Sequence, residues 1–256
     1  MTGSSNLQLA EDEWLRVRRT SLPSVAIATG SNPVTITGNV TVVGPFTLTN
    51  VGAFNAAAAS LSVFSDFTIS SSYSRFSAPA TLTFASISDF TSAHIAPGSV
   101  SNNNVTFADQ YGTDFELKGN TLNVGGNLKL AKTYNSNFGS VNSGLISVNG
   151  NLNVNRWGGG STDITLTGSS PSFTYAPGNT MPGSLVTYND AGGTLSLASA
   201  VSLNSGEGLT VQAGTINMSG YALSIPATLT INSGDTLTQA GGALIYSVFT
   251  NSGTLN

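Results

Sequence analysis

The feature that most constrains this chain is a short repeat in its last third. The triplets Gly193-Thr194-Leu195, Gly214-Thr215-Ile216 and Gly253-Thr254-Leu255 share one pattern, and Asp235-Thr236-Leu237 is a near copy of it. The apolar residues at positions 195, 216 and 237 recur at equal intervals. A repeat of this length cannot bury its apolar face alone and must stack on its neighbours. The sequence therefore predicts a coil built of stacked repeats.

Two further sets of residues recur in phase with these triplets. Leu223 and Leu244 are separated by the same interval, and Val211 and Ile231 are separated by a slightly shorter one. Three strand-and-turn units that recur together describe a coil with three strands per turn. We therefore predict a parallel β-solenoid with about 21 residues per rung, at least in the C-terminal half of the chain.

Much of the remaining chain alternates apolar with small polar residues. The alternation is clear in the segments 34–44, 46–50, 121–130, 145–154 and 163–168. Period-two alternation rich in Val, Ile, Leu and Thr indicates β-strands, and the intervening Gly and Asn residues suit tight turns. No stretch after residue 31 has a helical period, so we predict an all-β fold.

The character of the sequence divides the chain into three parts. We predict an N-terminal anchor or cap over residues 1–30, an irregular β region over 31–116 and the β-solenoid over 117–256. Phe and Tyr are concentrated in the middle part. Residues 54–115 are therefore expected to form either irregular rungs of the solenoid or a separate β-sandwich.

The N-terminal part is unusually rich in charge. The chain has 8 basic and 12 acidic residues, and six of these lie within residues 7–19. The segment from Glu11 to Arg19 lacks Gly and Pro, and its acidic residues precede its basic ones, which suits a short helix. This helix is expected either to cover the open end of the β-domain or to dock into a partner subunit. The candidate anchor residues are Trp14, Arg16, Arg18 and Arg19.

Composition excludes several classes of function. Charged residues make up 8% of the chain and the net charge is −4, so no basic surface for nucleic acid is expected. The chain has no Cys, which excludes disulfides and thiolate metal sites. It has no run of about 18 apolar residues, so no membrane insertion is expected.

Few residues are candidates for catalysis or metal binding. His94, the only histidine, lies in a turn-like segment and is expected to be solvated. Asp109, Asp114 and Glu116 form a carboxylate cluster, in which Asp114 and Glu116 would point to the same side of a strand. That pair allows acid–base work on a sugar or binding of a calcium ion, but a solvated surface is the favoured interpretation. We expect no catalytic residue, no metal site and no cofactor.

Two other patterns point to surface contact. Arg156 and Trp157 precede a run of glycines, so Trp157 is expected either to contact a carbohydrate or partner or to fold back over the solenoid. Thr-x-Thr motifs with an apolar middle residue also recur, as in ice-binding solenoids, but their irregular intervals favour ordinary strand propensity. These motifs lie at 35–37, 47–49, 81–83, 165–167, 228–230 and 236–238.

The segment VTITGNVTVVGPFTLTN (34–50) and the repeated Gly-Thr-Leu and Gly-Thr-Ile triplets resemble two families. One comprises the fibre, spike and appendage proteins of bacteriophage virions. The other comprises the β-helical regions of bacterial autotransporter and filamentous-haemagglutinin-like adhesins. The resemblance extends over residues 31–256 and carries no specific motif, so it implies an architecture and no functional residue.

The predicted function is that of a structural virion protein, used for particle assembly and surface attachment. Glu11, Asp12 and Glu13 lie where a secretory signal would be apolar. The chain is therefore expected to be either a mature or excised fragment or a protein made in the cytoplasm, and the second alternative fits a virion protein. The expected partners are further copies of the chain as a homotrimer, other virion or surface-structure proteins at the N-terminal segment, and host surface polysaccharide. The predicted contacts between subunits are Phe64, Phe67 and Phe76.

Two other functions stay open. One is a secreted bacterial adhesin or extracellular filament subunit, located outside the cell or on its surface. The other is a polysaccharide-degrading enzyme on the same scaffold, which would use Asp114 and Glu116.

Overall fold

The computed structural model describes residues 7–9, 16–17, 20–28, 33–49, 53–69, 76–85, 92–98, 100–109, 112–132 and 139–256. Within these ranges the chain forms a parallel β-solenoid of about 10 turns with about 21 residues per turn. The predicted fold is therefore confirmed. The described ranges contain no helix, and so none that could cross a membrane.

Each turn contributes strands to parallel sheets, which we name faces A, B and C in chain order. Face A contains β1 (Leu7–Leu9), β4 (Val25–Ile27), β7 (Phe46–Leu48), β10 (Phe67–Ile69), β13 (Ser92–Ala96), β16 (Asp114–Glu116), β19 (Ser140–Asn142) and β25 (Val201–Ser202). Face B contains β2 (Arg16–Val17), β5 (Pro33–Ile36), β8 (Ala53–Asn55), β11 (Phe76–Ser77), β14 (Ser101–Asn102), β17 (Thr121–Val124), β20 (Leu145–Val148) and β22 (Asp163–Leu166). Face C contains β3 (Thr20–Leu22), β6 (Val40–Val42), β9 (Ser60–Val63), β12 (Thr81–Ala85), β15 (Asn104–Asp109), β18 (Leu128–Lys132), β21 (Leu152–Asn155), β23 (Ser172–Tyr175), β28 (Thr236–Thr238) and β30 (Thr254–Leu255).

Four longer strands bend around a corner of the solenoid. Strands β24 (Leu185–Leu197) and β26 (Gly208–Asn217) begin on face B and end on face C. Strands β27 (Leu223–Ile231) and β29 (Leu244–Asn251) begin on face A and end on face B. The register shifts where these strands bend, as it does between Ile225 and Thr228.

The inward side chains of successive turns stack along the axis. Leu195 pairs with Ile216, Ile216 with Leu237, and Leu237 with Leu255. The first three of these residues are fully buried. Because strands of neighbouring turns lie about 4.8 Å apart, each inward side chain packs directly on the next. The interval between the repeated triplets in the sequence thus corresponds to one turn of the coil.

The aromatic middle region belongs to the same solenoid. The rings of Phe46 and Phe67 are stacked with centroids 5.4 Å apart, and Phe84 and Phe107 follow with centroids 5.1 Å apart. Strand β15 pairs with β18, and β16 pairs with β19, so the stack continues across residues 116 and 117. Of the two architectures expected for 54–115, the structure has rungs and not a β-sandwich. Large aromatic side chains fill the core here, and aliphatic ones fill it near the C-terminus.

The predicted N-terminal helix falls mostly outside the described residues. Only Arg16 and Val17 of the Glu11–Arg19 segment are described, and they form β2, which pairs with β5. Trp14, Arg18 and Arg19 lie outside the described residues.

An asparagine column supports one corner of the solenoid, just before the strands of face C. Asn104 Oδ1 accepts from the backbone N–H of Asn127 at 2.9 Å, and Asn127 Oδ1 accepts from that of Asn151 at 2.8 Å. Asn151 Oδ1 accepts in turn from the N–H of Ser172 at 2.8 Å. The side-chain oxygens thereby pair backbone donors at the turn, which are costly to leave unpaired.

The hydroxyl of Tyr188 bonds to the backbone of the preceding turn. Tyr188 is fully buried, and its hydroxyl donates to the carbonyl of Gly168 at 3.2 Å. Burial, and secondarily the negative charge of Asp190, raises the pKa of Tyr188 to about 12. The neutral phenol is therefore the form that the fold accommodates.

Replacing Ile216 with Ala tests the stacking of the core. The change should lower the free energy of unfolding by about 2–5 kcal/mol, because it leaves a cavity between Leu195 and Leu237. Chemical denaturation followed by circular dichroism measures this loss. The control Thr215→Ala alters the outward neighbour and should cost less than about 0.5 kcal/mol. Equal losses in the two variants would contradict the inward stack.

The pKa of Tyr188 predicts a loss of stability at alkaline pH. An unfolded tyrosine ionises near pH 10, whereas folded Tyr188 stays neutral up to about pH 12. Its contribution is therefore complete below pH 10 and is lost as the pH rises from about 10 to about 12. Unfolding free energies measured over this range should decline less steeply in Tyr188→Phe. Tyr221→Phe, which alters an exposed ring, should keep the wild-type slope.

Candidate functional site

The described ionisable side chains cluster most clearly on the outer side of face A. Strand β13 places His94 beside Glu116 of β16, and β16 places Glu116 beside Asn142 of β19. Asp66, immediately before β10, lies on the other side of His94. We name this group the His94 patch, and it comprises Asp66, His94, Asp114, Glu116, Ser140 and Asn142.

Hydrogen bonds run along the His94 patch from strand to strand. The backbone N–H of His94 donates to Asp66 Oδ1 at 2.8 Å, and His94 Nδ1 lies 3.6 Å from the same oxygen. The amide of Asn142 donates to Glu116 Oε1 at 3.0 Å. The hydroxyl of Ser140 donates to Asp114 Oδ1. Each carboxylate thus accepts a hydrogen bond from a neighbouring strand.

This geometry differs from that of a nucleophilic triad. A serine nucleophile needs an imidazole within hydrogen-bonding reach. Ser140 bonds a carboxylate, and β16 separates its strand from that of His94. Two strand spacings amount to about 9.6 Å, so His94 does not accept the Ser140 proton.

The predicted carboxylate pair does share one side of a strand. Asp114 and Glu116 point outward on β16 and flank the buried Phe115. Their Cα atoms are about 6.7 Å apart along an extended strand, and their bonds to Ser140 and Asn142 join them to the next turn. No group of three His, Asp or Glu residues arranged to hold a metal ion occurs in the described ranges.

Two expectations about this region need correction. His94 lies within a strand and not in a turn, although its side chain is 44% exposed. Asp109 is not part of the outward cluster because it is fully buried. It accepts from the backbone N–H groups of Gly112 and Thr113 at 3.0 and 2.9 Å. Asp109 therefore holds the turn that leads into β16.

The glycine-flanked tryptophan lies inside the solenoid. Trp157 is 1% exposed and stacks on Phe115 with ring centroids 6.4 Å apart. Its indole N–H donates to the carbonyl of Gly159 at 3.1 Å. Of the two positions expected for Trp157, the structure therefore has the ring packed against the solenoid and not the surface contact, because a buried ring has no face open to a ligand. Arg156 is exposed, and its predicted contact stays a prediction.

The glycines after Trp157 allow a close approach between two turns of the backbone. Gly160 has φ = 136°, and a Cβ at this position would overlap the carbonyl oxygen of Val141. Only glycine allows the backbone to pass so close to the preceding turn. The run thus closes the coil around Trp157.

Buried polar side chains hold the neighbouring turn. Asn179 is 1% exposed, and its Oδ1 accepts from the backbone N–H of Trp157 at 2.8 Å. Glu207, also buried, accepts from the backbone N–H groups of Met181 and Asn204 at 2.8 and 2.7 Å. Burial, and secondarily the charge of Glu207, raises the pKa of Tyr175, which donates to the carbonyl of Asn179 at 2.5 Å. These side chains pair with buried backbone groups and thereby stabilise the turn.

The three predicted intersubunit phenylalanines occupy different environments. Phe67 is 2% exposed and belongs to the core. Phe76 is half-buried and stacks on Phe54 at 5.2 Å between centroids. Phe64 is half-buried. The burial of Phe67 corrects its assignment to a subunit contact, because its ring already packs within the chain.

Two shallow depressions lie on face B, and the sequence did not predict them. One is lined by Ser101, Asn123, Ser147 and Thr167, among others. The other lies further along the axis and includes Ser184, Thr210, Thr228 and Thr230. Their hydroxyl and amide groups come from different turns of unequal length, and the Thr-x-Thr spacing alone could not bring them together.

The depressions are linked by one column of outward polar residues. The residues pair in unbroken register from turn to turn. They are Asn123, Ser147, Thr165, Thr187, Thr210, Thr230 and Thr250. Unequal loops in the sequence therefore do not prevent the threonines from aligning.

Comparisons with known proteins add no relative to the architecture described above. No known protein family, no curated protein and no solved structure matches this chain significantly. The chain is an all-β parallel β-solenoid whose fold fits a structural, adhesin or β-helix repeat protein in general.

Proposed function

We propose that this chain is a structural virion protein of the tail fibre, spike or capsid appendage class. In this role it joins a particle to a surface or decorates the particle. The solenoid would act as a stiff shaft that presents its outer faces to other molecules. The same scaffold serves a secreted adhesin or extracellular filament subunit, which is the alternative.

The observation that carries the proposal is the contrast between the core and the outer faces. The inward side chains form one apolar cluster from Val25 to Leu237. Outward columns consist largely of Ser, Thr and Asn, as in the series from Asn123 to Thr250 on face B. A surface of this kind meets water without ion pairs and varies little along the axis, which suits a shaft or a contact surface.

The proposal includes assembly with other chains. The charge-dense residues 7–19 are assigned to docking into a virion or surface-structure protein. Self-association as a homotrimer is expected, because fibres and spikes of this kind stand on symmetric bases. The mass of the native assembly in solution, measured by light scattering, should equal three chains of 26.0 kDa. A monomer under the same conditions would contradict the trimer.

Immunogold electron microscopy with antibodies against the chain tests the assigned location. Gold on the tails or capsids of virus particles is the expected result. Gold on cell envelopes or on extracellular filaments would replace the virion assignment with the adhesin alternative. Label confined to the cytoplasm would contradict both.

A polysaccharide-degrading enzyme is the function that most directly competes with the proposal. It would use the carboxylates of the His94 patch, and its signature is release of reducing sugar. Activity in the wild-type chain that is lost in Asp114→Asn or Glu116→Gln, with the fold unchanged by circular dichroism, would contradict a purely structural role. Thr83→Val, on face C, is the matched control in the same assay.

A further inference from the structure

Face B offers a long line of hydrogen-bonding side chains, of which Thr187, near the middle, is only 8% exposed. The column from Asn123 to Thr250 crosses seven turns in register. At about 4.8 Å per turn, its six intervals extend over about 29 Å. The two depressions adjoin this line at two places, around Ser147 and around Thr210. A linear molecule lying along the axis would meet a similar polar group at each turn except that of the buried Thr187.

The lining of the depressions carries no charged side chain. None of the side chains that line them is ionisable. Asp163 lies on the same face, but its Oδ1 accepts from the backbone N–H of Leu185 at 3.0 Å. With no cation in place, the surface lacks the contacts that bind phosphate or carboxylate groups. The complementary ligand is therefore neutral.

The backbone of face B is also unavailable to an added strand. Peptides that bind sheets do so mainly through an exposed edge. Here the backbone of each turn between Asn123 and Thr230 pairs with the turns on both sides. The depressions are lined by side-chain hydroxyls and amides, by glycines and by apolar side chains such as those of Ala227 and Leu185. Such a surface matches a molecule that carries many hydroxyls of its own.

We propose that face B binds a neutral polysaccharide whose chain lies along the solenoid axis. This inference rests on the proposed function in surface contact and specifies the ligand. The ligand and the surface both repeat, so each turn contributes one weak set of hydrogen bonds. Neither depression is lined by an aromatic ring, so no single sugar is held strongly. Binding therefore depends on chain length, through the number of turns engaged together.

Affinity electrophoresis of the purified full chain tests the proposal. The gels contain dextran, laminarin, mannan, galactan or the acidic polygalacturonate. The expected result is retardation by at least one of the four neutral polymers and none by polygalacturonate. Trisaccharides of the retarding polymer should compete at least about tenfold less well than the polymer, at equal sugar concentration, because they reach few turns.

A pair of matched variants locates the contact. Thr210→Val combined with Thr230→Val removes two hydroxyls from adjacent turns of face B and keeps the branched shape that suits a strand. We expect affinity to fall about tenfold. Thr83→Val combined with Thr106→Val makes the same change on adjacent turns of face C and should leave affinity within about twofold of the wild type.

Three results would overturn the inference. They are no retardation by any of the four neutral polymers, retardation by polygalacturonate alone, and equal loss of affinity in the two double variants. Each leaves the proposed function intact if the immunogold label is found on virus particles. Label confined to the cytoplasm would instead remove the proposed function, whatever the gels record.

Discussion

The spacing of parallel strands between neighbouring turns governs this structure. Once the backbone of one turn pairs with the next, every side chain lies about 4.8 Å above its equivalent. An inward position must therefore be apolar in turn after turn, as at Leu195, Ile216 and Leu237. An outward position repeats in the same way, and a small polar residue becomes a column. Both the stability of the chain and the composition of its outer faces follow from this repetition.

The fold could be predicted because repetition leaves a signal in the sequence. The interval between Leu195 and Ile216 is the length of one turn, about 21 residues. The alternation within each strand separates inward from outward residues, and the two signals together specify a three-stranded coil. The middle region was less clear because its turns vary in length. Phe84 and Phe107, for example, pair across a longer interval than Leu195 and Ile216 do.

The individual surface residues were harder to predict than the fold. Trp157 beside Arg156 and three glycines resembles an exposed contact loop, yet the glycines allow the backbone to close over a buried ring. Phe67 belongs to the core for a related reason, since aromatic residues fill the wide turns. The His94 patch arises from Asp66, His94 and Glu116, which lie far apart in sequence and at unequal intervals. Only the register of the strands brings such residues together. Because the turns differ in length, that register gives no constant spacing in the sequence.

The direction of the backbone hydrogen bonds has a mechanical consequence. Those that join the turns lie roughly parallel to the solenoid axis, because each strand pairs with the turn above and below it. A pull along the axis therefore separates the turns one at a time and does not shear a whole sheet at once. Each turn that detaches frees about 21 residues, or about 70 Å of extended chain. The solenoid can then lengthen in steps and re-form when the load is released, because each turn depends only on its neighbours.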